Sequence, residues 1–99
     1  MAEESFDMLE HVKTCLGQSG NDYVNDIFRA HIQDVQLYLQ DAGIPSEVTK
    51  SQKCGGVVAR GVADLWNYGS GTAALSPFFH ERAAQLALKY GGGASNVTT

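Results

Sequence analysis

Apolar residues recur at three- and four-residue steps in four stretches of this chain, the period of an amphipathic helix. Phe6, Leu9, Val12 and Leu16, flanked by Met8 and Cys15, predict a first helix from about Ser5 to Leu16. Glu3, Glu4 and Asp7 favour its positive end, and Gly17 stops it. Asn21 or Asp22 caps a second, long helix to about Ala42, roughly 30 Å in length. Val24, Ile27, Phe28, His31, Ile32, Val35, Leu39 and Ala42 share its apolar stripe, while Leu37 projects opposite Phe28. Gly43 and Pro45 close it, and residues 44–51 connect to the next element.

A third helix is expected from about Gln52 to Tyr68. Its stripe of Cys54, Val57, Val58, Gly61, Val62 and Leu65 is widened by Trp66, and Gly56, Ala59 and Ala63 extend small residues around it. Only Lys53, Arg60, Asp64 and Asn67 form a polar strip, so this helix is expected at the centre of the fold. Gly55, Gly56 and Gly61 each cost about 1 kcal/mol of helix propensity, which implies a later start or close packing. After the turn at Gly69 to Thr72, Ser76 and Pro77 start a fourth helix, with Phe79, Ala83, Leu86 and Tyr90 on one face and Phe78 and Arg82 beside it. No stretch alternates with period two. The predicted class is all-α: a small bundle of about four helices over residues 1–90, then an uncharged, flexible docking tail over 91–99. Such a tail cannot pack alone, and Asn96-Val97-Thr98-Thr99 is suited to adding a strand to a partner.

Charge sharpens the picture. The net charge is −4 and there is no run of lysine and arginine, which argues against DNA binding driven by phosphate neutralisation. Residues 1–43 carry eight acids and two bases, whereas residues 44–99 carry three acids and five bases. That asymmetry suits head-to-tail association between copies. At 99 residues the chain makes one domain with a modest core, so help from neighbouring subunits is plausible. The amino-terminal stretch lacks the apolar region of a secretory signal, and no apolar run approaches the roughly 20 residues of a membrane span. The chain is expected to be soluble and intracellular when made, with no membrane partner.

Candidate chemistry is sparse. His11, His31 and His80 lack the short helical spacing of a zinc motif, and Cys15 and Cys54 lack CxxC spacing. Both cysteines lie on or beside apolar faces and are expected to be buried and reduced; His31 is expected as a structural core-edge residue. Gly17-Gln18-Ser19-Gly20 and Gly69-Ser70-Gly71-Thr72 follow no strand and precede no GK[ST], so they are expected to be helix ends and turns. No metal, cofactor or catalytic residue is assigned. Trp66 has two readings, core packing at the end of the third helix or an interface anchor.

The opening from Met8 to Ile44 resembles the small head–tail connector proteins of long-tailed bacteriophages, also described as phage DNA-packaging or head-completion adaptors. Met8-Leu9-Glu10-His11-Val12-Lys13 matches their short leucine-containing helix, Gly20-Asn21-Asp22 their polar loop, and Leu39-Gln40-Asp41-Ala42-Gly43-Ile44 the end of their long helix. In the second half, Val57 to Gly69 is similar to their helix of small and aliphatic residues, and Pro77-Phe78-Phe79-His80-Glu81-Arg82 to their final helix. The likeness spans about residues 8–90 and consists of helix punctuation, not catalytic signatures. It departs at the glycine-rich Lys53-Cys54-Gly55-Gly56 and in a linker with fewer acids than the family's.

The resemblance implies a non-enzymatic virion protein of the neck, assembled in the host cytoplasm. Such proteins form a ring, commonly a dodecamer, under the portal protein. The ring extends the DNA channel, helps retain packaged DNA without reading its sequence, and offers a surface to a stopper or tail-terminator protein. From the residues themselves, Leu37, Arg60 and Asp64 are candidate interface positions on faces turned from the predicted core, with Tyr90, Asn96 and Val97 towards the tail. Arg60 and Asp64 also have the spacing to pair with each other. The alternatives are a small helical DNA-binding or regulatory module using the third helix, and an enzyme or ligand-binding bundle.

Overall fold

The structure, a computed structural model, describes residues 6–69 and 75–91. The fold is all-α. Helix α1 spans Met8–Cys15, α2 Asn25–Asp41, α3 Ser46–Thr49, α4 Gly55–Tyr68 and α5 Pro77–Tyr90, with single 3-10 turns at Asp22–Val24 and Gln52–Cys54. No strand occurs among the described residues.

Local chemistry sets these boundaries. Helix α1 begins at Met8 rather than near Ser5, because Asp7 is its cap and accepts the Glu10 N–H at 3.2 Å. Asn21 caps the first 3-10 turn in the same way, accepting the Tyr23 N–H at 3.0 Å. Helix α2 ends at Gly43, whose φ of +107° suits a residue without a Cβ. The Ile44 N–H then bonds back to the Leu39 carbonyl at 3.1 Å, and the Ile44 side chain turns into the core. The glycines of the third helix resolve as a later start. Ser51 caps the 3-10 turn at Gln52–Cys54, and the α-helix proper begins only at Gly55.

The connection at 44–51 is not all loop: it holds the one-turn α3. Thr49 is buried there. Its hydroxyl accepts from Gln40 Nε2 at 3.2 Å and its carbonyl from Gln36 Nε2 at 3.3 Å, which pins α3 to α2.

Helix α4 is central, as its wide apolar surface predicts; it packs on α1, α2 and α5. Gly61 is what allows the closest approach. A Cβ there would lie 2.8 Å from Val35 and 2.9 Å from Phe79. Gly55 is similarly confined against the His11 ring, whereas a Cβ on Gly56 would meet nothing within 4 Å. The core joins Val12, Phe28, Val35, Leu39, Val58, Val62, Phe79 and Leu86. Gly91, just past α5, is buried against the Gly43 carbonyl, so the packed body runs one residue beyond the expected boundary.

Three assignments are corrected. Ile27, on the flank of α2 beside its buried face, is exposed, and so is Ala42, which lies just past the end of the helix. Cys15, expected to be buried, is exposed near the end of α1, while Cys54 is buried.

Candidate protein interface

The six candidate interface residues separate into five situations. Leu37 stands in water as expected, 51% exposed on the outer face of α2. Arg60 is half-exposed on α4 and reaches over the Phe78 ring at 5.8 Å. Tyr90 is half-buried, and its ring is already engaged by Lys53 and Lys89 at 5.5 and 5.3 Å. Asn96 and Val97 lie outside the described residues.

Asp64 is a correction. It does not lie on an outward face but is only 1% exposed. The helical wheel placed it in a polar strip whose Lys53, Arg60 and Asn67 do remain exposed, but the start of α5 at Ser76 meets Asp64 itself. Burial of its carboxylate is compensated on both oxygens. Oδ2 accepts the Ser76 N–H at 2.9 Å, and Oδ1 pairs with Arg60 at 3.5 Å. Asp64 is therefore an internal anchor for the start of α5.

Two surface grooves, which share no lining residue, flank these positions. The first, of about 230 Å³, is lined by Asp34, Leu37, Tyr38 and Asp41 of α2 with Leu65 and Leu75. Its charged side chains are both acids. The second, also about 230 Å³, runs between α4 and α5 and is lined by Lys53, Gly56, Val57, Arg60, Phe78 and Arg82, with Leu86. Its charged side chains are all bases, and Phe78 lies 63% exposed at its edge. Lys53, Phe78 and Arg82 had a legible signal in the sequence. Lys53 belonged to the polar strip of the third helix, and Phe78 and Arg82 lay beside the apolar face of the fourth, but only packing of α5 on α4 brings Phe78 and Arg82 beside Arg60.

Trp66 combines both of its readings. Its ring meets Phe28 edge-on at 4.9 Å, yet two-fifths of the residue is in solvent.

The structure also brings together groups that the sequence left apart. Cys15 Sγ lies 3.5 Å from His11 Nε2 across one helical turn. The i,i+4 spacing could have signalled it. Neither residue lines either groove, and no third group orients the imidazole among the described residues. His80 Nδ1 lies 2.8 Å from the Tyr38 hydroxyl, which ties α5 to α2. His31 is buried, with its Nδ1 unpartnered among the described residues.

Burial raises the Cys54 thiol above its ordinary value of 9.0, against the opposing pull of the Arg82 guanidinium. No group of three or more His, Cys, Asp or Glu side chains is arranged to hold a metal among the described residues. No helix among them is long and apolar enough to cross a membrane.

No family model, curated protein or solved structure matches this chain.

Proposed function

We propose that this chain is a structural head–tail connector of a tailed bacteriophage, an adaptor in the virion neck. In this reading its copies form a ring, a dodecamer by resemblance, beneath the portal protein. The ring extends the DNA channel, helps retain packaged DNA and presents a surface to a stopper or tail-terminator protein. Its work is docking, and no bond is made or broken.

The observation that carries the reading is where large apolar side chains remain in water. Leu37 stands among acids on α2, Phe78 of α5 stands among bases, and Tyr23 and Leu88 are exposed elsewhere. The core is complete without them. Single exposed apolar residues are ordinary. Apolar residues set in oppositely charged grooves are what a subunit covered by several different neighbours needs. The order of helices and their stops, with Ala42-Gly43-Ile44 closing the long helix, also supports the resemblance. An acidic chain suits a channel that lets DNA pass, because it offers little phosphate neutralisation.

A DNA-binding module reading through α4 has less support. That helix is central, and Arg60 is its single base.

The test is imaging of the assembled particle with this chain located in it, or mass measurement of the chain mixed with its portal. Density for the chain in a ring between portal and tail is expected. A portal mixture in which every chain stays unbound, together with particles that lack the chain, overturns the reading. Truncation after Gly91 is expected to keep the helical signal while weakening docking, which places the work of Asn96 and Val97 in contacts with other proteins.

A further inference from the structure

We infer that the acidic face of α2 on one copy seats in the basic groove between α4 and α5 of a second copy, with Leu37 as the plug. This inference rests on the connector reading and supplies its repeating contact.

The two surfaces match in charge and spacing. Asp34 and Asp41 lie seven residues apart on α2, roughly 10 Å at helical rise, with Leu37 between them. Lys53 and Arg60 lie seven residues apart along the floor of the basic groove, a similar span, with Arg82 on the opposite wall. Laid into that groove, the α2 face sets carboxylates against bases at both ends. Among the described residues, Asp34 and Asp41 have no basic partner and Lys53 and Arg82 no acidic one.

Between the two ends, the groove offers Leu37 an apolar seat. Gly56 leaves its floor bare, since a Cβ there would meet no atom within 4 Å, and Phe78 stands at the side. The donor and acceptor surfaces share no residue. Each copy can therefore give one contact and receive another, the condition for a ring or a chain of subunits rather than a closed pair. Asp64 takes no part. It is internal, and its role is to hold Arg60 and the start of α5 in place.

Sedimentation of the full chain at rising concentration and low salt tests this. The wild type is expected to exceed the mass of two chains at the highest concentrations, and to revert to monomer as salt is added. Asp34→Lys with Asp41→Lys, and separately Lys53→Glu with Arg82→Glu, should each weaken association by on the order of tenfold or more. An equimolar mixture of these two variants should again exceed the mass of two chains, since the intact groove of one takes the intact α2 face of the other and the two reversed surfaces also match. The protein carrying all four substitutions should associate again. Gly56→Leu should block the seat without changing charge or helicity.

Wild-type protein that stays monomeric, or stops at two chains, overturns the inference. So does undiminished association of the reversed variants, or failure of the four-fold variant to recover while its circular dichroism is native. Self-association is read here without any portal. A chain that associates in this way but never occupies a neck keeps the pairing and removes the connector reading. Variants that fill the neck normally with either groove reversed do the opposite.

Discussion

The carboxylate of Asp64, buried in α4, accepts the backbone N–H of Ser76 at 2.9 Å, and Ser76 in turn accepts the Phe79 N–H through its hydroxyl at 3.2 Å. One acid thus holds the residue that caps α5, and through it the helix that forms one wall of the basic groove. Asp64→Ala leaves that N–H and Arg60 without their partner. A loss of about 2–3 kcal/mol in chemical denaturation is expected, with Asp64→Asn retaining part of it. If Asp64→Ala matches the wild type, Asp64 is not the anchor described.

Lys13 makes a second internal link that the sequence hid. It is only 1% exposed, and its ammonium lies 2.8 Å from Asn25 Oδ1, 3.4 Å from Asp22 and 3.6 Å from Glu10. Both carboxylates are largely in solvent, so their attraction is screened; the buried stem and the bond to Asn25 matter more. Lys13→Ala is expected to lose about 2–4 kcal/mol, whereas Lys13→Met, which keeps the stem, should lose only about 1 kcal/mol. Equal losses in a urea titration would point to the charge instead.

Gly61 and Gly56 should respond in opposite directions to alanine. At Gly61 the added methyl meets Val35 and Phe79 inside 3 Å, and the helix-propensity gain does not offset the overpacking. A net loss of about 1–2 kcal/mol is expected in thermal or chemical melts. At Gly56 the methyl enters open space, and a gain of up to about 1 kcal/mol is expected.

The two thiols should differ in kind. Cys15 is exposed and should react readily with an alkylating reagent in the native state, while Cys54 should react only on unfolding. Because burial raises the Cys54 thiol, the folded chain keeps its proton at a pH where the unfolded chain has released it. Its contribution to stability is complete below pH 9.0, the ordinary thiol value, and is lost as pH rises above that. Cys54→Ala should flatten this alkaline decline in unfolding free energy measured against pH. An unchanged slope would assign the decline to other groups.

Much of the architecture was legible in the sequence, because helices announce themselves locally. The three-and-four spacing of Val12, Phe28, Val35, Leu39, Val58, Val62, Phe79 and Leu86 placed them in the core, and Ser76 with Pro77 marked the start of α5. The wide apolar surface of α4, with its narrow polar strip, correctly put it at the centre. Polar side chains were harder, since their burial depends on what packs over them. Asp64 looked like surface until α5 covered it. Nothing in residue order marks Lys13 as buried; Asp22 and Asn25 meet its ammonium only once the chain turns back.

The candidate interface residues followed the same division. Leu37 opposite Phe28 was a matter of angle along one helix, so the chain's own periodicity determined it. The basic groove draws Lys53 and Arg60 from one segment and Phe78 and Arg82 from another, and only the packing of α5 against α4 makes them one surface. Periodicity acts between near neighbours and is written in residue order. The meeting of distant segments is decided by which apolar faces bury each other, and that is settled only when the chain is folded.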